Sequence, residues 1–250
     1  MQPVLEARNI IKSFGQVQAL KGANFQIDLG EIVALIGDNG AGKSTLVKIL
    51  SGALQPDSGE ILIKGKPVEL TSTNIARDFG IETVYQNLAV ANHLTPVANM
   101  FLGREILKPG ILGALGFLDE SRMKKHASEV FNRLDVKIQN LKVPITALSG
   151  GQRQSVAVAR AATWATNIVF LDEPTAALGV AQTEQVKQLI LRLRNQGLGV
   201  VLISHNMTEV LEIADRVEIL RFGERVASMD SKDADINSLV KAMVSEEYED

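Results

Sequence analysis

Nine residues with the types and order needed to hold a phosphate chain, Gly37-Asp38-Asn39-Gly40-Ala41-Gly42-Lys43-Ser44-Thr45, follow the apolar run Ile32-Val33-Ala34-Leu35-Ile36. They match G-x-x-x-x-G-K-[ST], the phosphate-binding loop, and lead into the helical pattern Leu46-Val47-Lys48-Ile49-Leu50. Glycine lets the backbone curl until successive N–H groups face phosphate oxygens, and a helix starting there adds its positive end. In that arrangement Lys43 reaches the β- and γ-phosphates and Ser44 ligates Mg²⁺. An ordinary glycine-rich turn would account for Gly37 and Gly42 but not for Lys43-Ser44 beside them. Asp38 is electrostatically out of place in an anion nest, so its carboxylate is expected to face solvent.

Three further polar groups end apolar runs of the same kind. Ile81-Glu82-Thr83-Val84-Tyr85 stops at Gln86, Ile168-Val169-Phe170-Leu171 at Asp172-Glu173, and Gly199-Val200-Val201-Leu202-Ile203 at Ser204-His205. Two adjacent carboxylates capping a buried strand are costly to desolvate unless a cation compensates, and Mg²⁺ on a nucleotide would do so. Asp172 is then the metal ligand and Glu173 the group that activates an attacking water. His205 on its own reads as a hydrogen-bonded loop residue. Its strand-end position is what ties it to the others. Leu148-Ser149-Gly150-Gly151-Gln152 opens a helical stretch over 153–163 and makes a second small-residue helix start, without a lysine.

These groups need a scaffold, and the remaining pattern supplies one. The runs above, together with Val217-Glu218-Ile219-Leu220, are rich in β-branched residues and almost continuously apolar, as in parallel strands buried on both faces. Helical faces lie between them: Met123, Val130, Phe131 and Leu134 on one, Val186, Leu189, Ile190 and Leu193 on another. The alternation predicts an α/β fold with a parallel sheet, whose ligand site lies beyond the carboxyl ends of the strands. Leu5/Ala7, Phe25/Ile27 and Glu60-Ile61-Leu62-Ile63 alternate or sit between turns, which predicts a small antiparallel β layer. Phe14 lies in that layer and on pattern alone is an ordinary aromatic.

Composition fits this scaffold and closes off other classes. The chain has 250 residues, 46% hydrophobic and 22% charged, with a net charge of −3, so no broad basic surface advertises nucleic acid. It has no cysteine, which removes disulfides and thiol chemistry. The N-terminus lacks the apolar stretch of a signal peptide, and the greasiest span, 110–118, is far shorter than the roughly 20 residues needed to cross a bilayer. Direct membrane insertion is therefore not expected, and any membrane role is expected to run through a partner.

With phosphate loop, Gln86, Ser149 to Gln152, Asp172-Glu173 and His205 in this order, the chain resembles the ATP-binding subunits of ABC transporters. The resemblance covers nearly its whole length. It implies the P-loop NTPase fold of that family, with an inserted helical sub-domain at about 87–154 and a nucleotide-binding core formed by 1–86 and 155–250. It makes ATP and Mg²⁺ the cofactors. Phe14 becomes the ring that stacks adenine, Gln86 a metal and nucleotide contact beside Ser44 and Asp172, and Ser149, Gly150, Gly151 and Gln152 the signature. Lys43, Glu173 and His205 become the catalytic set. It also implies a head-to-tail dimer, since one signature closes on the other subunit's phosphate loop. Permease subunits and, indirectly, a sugar-binding protein are the further partners, on the cytoplasmic face of the bacterial inner membrane.

More finely, residues 80–87, 99–105 and 172–180 are similar to ATPases of monosaccharide importers of the ribose/fructose type, most of all those importing fructose. By the same resemblance 86–105 forms the groove for a permease helix, which predicts exposure of Leu94, Met100 or Phe101. Gly179 departs from the aspartate most of the family carries there. An importer of another small solute is the alternative within transport, and a nontransport ABC ATPase is a more distant one. A P-loop GTPase or kinase leaves 148–152 unexplained, and no N-K-x-D guanine motif is present.

Overall fold

The computed structural model describes residues 2–86 and 90–244. Among these the chain forms two compact units: Met1–Gln86, Ala165–Pro174 and Leu193–Asp250 make the first, Asn87–Trp164 and Thr175–Arg192 the second.

The first unit opens with two long antiparallel strands, β1 (Leu5–Phe14) and β2 (Val17–Ile27), which meet at a turn where Phe14 pairs with Val17. Next come β3 (Ile32–Ile36), α1 (Lys43–Leu50), β4 (Ser58–Ile63), β5 (Lys66–Pro67), α2 (Thr73–Asp78) and β6 (Ile81–Val84). The second unit carries α3 (Pro96–Met100), α4 (Ile111–Ala114), α5 (Glu120–Arg133) and α6 (Gly150–Trp164). The chain then forms β7 (Ile168–Asp172), α7 (Val180–Asn195), β8 (Gly199–Ile203), α8 (Met207–Ile213), β9 (Arg216–Arg221), β10 (Glu224–Asp230) and α9 (Ile236–Val244).

Two sheets result. β2-β1-β4-β5 is antiparallel, and β10-β9-β3-β8-β7-β6 is parallel except for the β10 edge. The mainly parallel sheet with an antiparallel β layer is thus the fold anticipated from the sequence. All five residues of β3 and of β8 are buried, as strands covered on both faces must be. Glu218 on β9 is fully buried among them and is held by Arg216 and Arg225. The hairpin partner β10 was not anticipated, because its residues are exposed or half-buried, none fully buried, and show no clean alternation.

In the second unit the sequence boundary at 154 moves. All of α6 and residues 175–192 belong to this unit, and α6 packs on α3 and α5 rather than dividing at its first turn. Met123, Val130, Phe131 and Leu134 are buried, as their spacing predicts. Met100 and Phe101 require a correction. They are 1% and 0% exposed, and the Phe101 ring lies 5.6 Å from that of His126 and 5.8 Å, edge-on, from that of Trp164. Phe101 is therefore a core aromatic and not a docking surface; of the three residues only Leu94 is exposed.

Candidate functional site

The site begins where β3 ends. At Gly37, φ is +147°, and a Cβ there would fall on the carbonyl oxygen of Leu220; at Gly42, φ is +103°, and a Cβ would sit 2.7 Å from Ala19 O and Leu20 Cδ2. Only glycine fits either place, so the loop is shaped by what packs behind it as much as by the phosphate it would face. The turn after β9 is part of that backing: Gly223 N–H donates to Ala41 O at 3.0 Å, and Lys21 N–H donates to Gly223 O at 2.8 Å. This buttress was missed in the sequence, where Phe222-Gly223 carried only a weak turn signal.

Helix α1 starts at Gly42 without any side-chain cap, whereas α2, α3, α5 and α8 are capped by Ser72, Thr95, Asp119 and Asn206. Its first-turn N–H groups are left for an external acceptor, as an anion site requires. Lys43 Nζ bends back to donate to Gly37 O at 2.6 Å and Asp38 O at 2.9 Å. Burial lowers the Lys43 pKa, while the charges of Asp38, Glu173 and Asp172 oppose that shift. Asp38, Asn39, Gly40 and Ser44 are exposed, Thr45 is half-buried and Ala41 is buried. The Asp38 carboxylate is thus at the surface, as its charge demanded.

Three other strand ends meet on one carboxylate. Glu173 follows β7 with φ at +48°, and its N–H donates to Ile203 O at the end of β8 at 2.9 Å. Its Oε2 accepts from Gln86 Nε2 at 3.0 Å and its Oε1 lies 3.1 Å from His205 Nδ1. An ionised Glu173 accepts from both, which places the His205 proton on Nδ1. A left-handed backbone at a non-glycine residue is strained and persists only where its surroundings enforce it. Asp172, one residue earlier, pairs with Ile203 in the sheet and is half-buried. Burial pushes its carboxyl above the usual range, Glu173 pushes it further, and Lys43 and Lys48 pull it back. β8 separates β3 from β7, so the phosphate loop and Glu173 stand two strand spacings apart, about 10 Å. The structure therefore brings the loop, Gln86, Asp172, Glu173 and His205 to one end of one sheet.

Phe14 ends β1 and is 51% exposed, and Lys12 Nζ lies 5.9 Å from its ring centroid. The turn that presents it is clamped by Asp57. Asp57 accepts from Ser13 N–H and from Lys12 Nζ, both at 2.7 Å, and its own N–H donates to Ile11 O. Ser149, Gly150, Gly151 and Gln152 belong to the second unit. Ser149 N–H donates to Gln152 Oε1 and Gln152 N–H to Ser149 Oγ, a reciprocal cap on α6. Gly151 lets α6 approach Gln182, whose Cβ a side chain there would meet at 2.9 Å. Nothing lies within 4 Å of a Cβ built at Gly179, so packing does not demand glycine at that position.

A glycine-rich loop opening an uncapped helix, with a lysine and with carboxylates across the next strands, is suited to bind a nucleotide polyphosphate and direct water at its end. The family model described as ABC transporter matches residues 20–176. The chain belongs to the ABC transporter family. It is an ATP-binding subunit of the kind that hydrolyses ATP. It is 50% identical over 244 residues to the fructose import ATP-binding protein FrcA of Rhizobium meliloti, covering 97% of this chain and 94% of that one. Identity is 41% over 245 residues to the xylose/arabinose import ATP-binding protein XylG of Sulfolobus acidocaldarius, 98% of this chain and 95% of that protein. The ribose import ATP-binding protein RbsA of Yersinia pestis is 42% identical over 248 residues, 99% of this chain but 48% of its own length. Among solved structures, the ATP-binding cassette MJ0796, described as dimeric and bound to ADP and Pi, superposes with a TM-score of 0.75 at 26% identity. That match spans 91% of this chain and 98% of MJ0796. The ADP conformation of MJ1267 reaches a TM-score of 0.80 at 24% identity over 99% and 97% of the two chains, a likeness of fold.

Proposed function

We propose that this subunit powers import of a monosaccharide, fructose- or ribose-like, through separate transmembrane subunits at the cytoplasmic face of the bacterial inner membrane. The ATPase part of the reading rests on Gln86, Glu173 and His205 meeting within hydrogen-bond reach beside the phosphate loop. The cargo rests on similarity to FrcA over nearly the whole of both chains. Because XylG is also similar throughout, a xylose- or arabinose-like sugar is the second reading.

Mg²⁺ fits the residues present. The half-buried Asp172 carboxylate, desolvated and within reach of the Lys43 charge, suits an ion held jointly with phosphates. Ser44, Asp172 and Gln86 would hold it, and when bound it supplies charge neutralisation on the β- and γ-oxygens. The remaining work belongs to the chain. Phe14 stacks the adenine, and the N–H groups of 37–45 cradle the phosphates with Lys43. Glu173 accepts the proton of the attacking water, and His205 holds the Glu173 carboxylate in place. Ser149 to Gln152 of a second subunit completes the site from the other side, in a homodimer that also engages permease subunits and, through them, a sugar-binding protein.

The test combines uptake and turnover. A deletion strain should lose uptake of one labelled monosaccharide and regain it with the wild-type gene. Purified protein should show ATPase activity per subunit that rises with protein concentration, and Ser149→Arg should abolish turnover while sparing ATP binding. Concentration-independent turnover by a demonstrated monomer would sink the shared-site reading; unchanged uptake of every monosaccharide would sink the cargo assignment.

A further inference from the structure

Asn99, on α3, is wholly buried and takes no part in the site described above. An amide taken out of water must satisfy its donors and acceptors inside the protein, so where its bonds go shows what it holds. They run to one irregular stretch. Asn99 Oδ1 accepts from Ala91 N–H at 2.7 Å, and Nδ2 donates to Ala91 O, Leu94 O and Thr95 O at 3.0, 3.3 and 3.1 Å. Residues 91–95 form a turn outside any helix or strand, so no ladder sets the direction of their carbonyls, and it is Asn99 that does so.

One of those carbonyls has a second task. Leu94 O also accepts from Ile145 N–H at 2.9 Å, and Asn92 O accepts from Thr146 N–H at 3.4 Å. Ile145 is fully buried and opens the single 3₁₀ turn Ile145–Ala147, in which Leu148 N–H donates to Ile145 O at 3.0 Å. The next residue is Ser149, whose reciprocal cap with Gln152 starts α6. α6 is fastened to the same segment at its other end, where Trp164 Nε1 donates to Met100 O at 3.1 Å. Residues 91–100 therefore hold both ends of the helix that carries the signature, and Asn99 shapes the end next to Ser149.

We infer that Asn99 is a positioning residue for ATP hydrolysis at the partner subunit's phosphate loop: through Leu94 O and the strap 145–148 it fixes where Ser149 stands when the two subunits close. This rests on the shared-site reading, in which Ser149 to Gln152 act on the other subunit. A misplacement of about 1 Å costs on the order of a hundredfold in rate. A buried amide with its donors and acceptor bound fixes the direction of the groups it holds, which a hydrophobic side chain of its size cannot do.

Asn99→Asp keeps the oxygen that accepts from Ala91 N–H and turns the donor facing three carbonyls into an acceptor. ATP affinity of the dilute full-length variant, read with a fluorescent nucleotide analogue, should stay within about twofold of wild type, because the phosphate loop is untouched. Turnover at a protein concentration that saturates the wild type should fall about tenfold to a hundredfold. Should Asn99→Asp fail to fold, Asn99→Ser, which is smaller and keeps a donor and an acceptor, goes through the same measurements.

A mixing assay separates positioning from simple instability. Glu173→Gln lacks the carboxylate that activates water but has an undisturbed signature. Mixed with Asn99→Asp it should give turnover above the sum of the two proteins measured alone, since one site of the mixed dimer joins an intact Glu173 to an undisturbed signature. With both substitutions on one chain, a mixed dimer with wild type has no such site, and turnover should fall more steeply than when Glu173→Gln alone is added. Wild-type turnover in Asn99→Asp overturns the inference. So does ATP affinity lost together with turnover, or the absence of gain on mixing, and each of these leaves the shared-site reading standing. Turnover independent of protein concentration in a monomeric wild type removes the shared-site reading itself, and the role of Asn99 with it.

Discussion

Replacing Glu173 by glutamine keeps the side-chain shape and removes the charge on which Gln86 and His205 converge. The amide oxygen still accepts from Gln86 Nε2, but the amide nitrogen then faces His205 Nδ1, which can accept only in the other tautomer. The local fold therefore survives at the cost of a proton shift on His205, visible as a change in its imidazole nitrogen resonances. The chemistry does not survive. A positioned general base contributes about 10²–10⁴-fold, equivalent to about 2.7–5.5 kcal/mol of barrier, and an amide cannot take the proton. Turnover measured by phosphate release should fall by that factor. ATP affinity should stay within about twofold, because Lys43 and the loop N–H groups are untouched. The ATP-bound dimer should accumulate in size-exclusion chromatography. Removing this anion also relieves Asp172, whose carboxyl should titrate closer to its ordinary range. Wild-type turnover in Glu173→Gln would refute its role as base and turn attention to His205.

Asp172→Asn should uncouple stability from function. The fold favours protonated Asp172, so the stability this group contributes is present below its unfolded pKa of about 3.9 and is lost as pH rises through the raised folded value. Without nucleotide, the variant should melt above wild type near neutral pH and converge with it in acid, while Mg²⁺-dependent nucleotide binding weakens; scanning fluorimetry across pH checks this, and equal melting at all pH values would contradict it. Phe101→Ala should destabilise the helical unit by about 3–5 kcal/mol, read as lost hydrogen-exchange protection around α3, α5 and α6; unchanged protection would mean the ring cluster is not structural. Asp57→Ala should raise KM for ATP about fivefold with kcat nearly unchanged, and Asn at the same position, which can still accept from Ser13 N–H, should restore part of it. A fall in kcat with KM unmoved would argue against Asp57 as the clamp of the Phe14 turn.

By itself the sequence determined the features whose signal is contiguous. The phosphate loop, the carboxylate pair after Ile168-Val169-Phe170-Leu171 and the small-residue start of α6 are each read within a dozen residues, because one turn or one strand end sets their chemistry. The parallel strands were legible for a similar reason: burial on both faces demands an unbroken apolar run, and β3, β7 and β8 have one. Tertiary structure alone decided which strands are neighbours. It put β8 between β3 and β7, joined Gln86 to Glu173 across 87 positions of sequence, and set His205 on the same carboxylate. It also turned Met100 and Phe101 inward, gave Asp57 a task, and left Ile111 and Leu115 outside. Apolar character states only that a residue gains from leaving water; whether it does is set by partners such as His126 and Trp164, which lie far away along the chain and close in space.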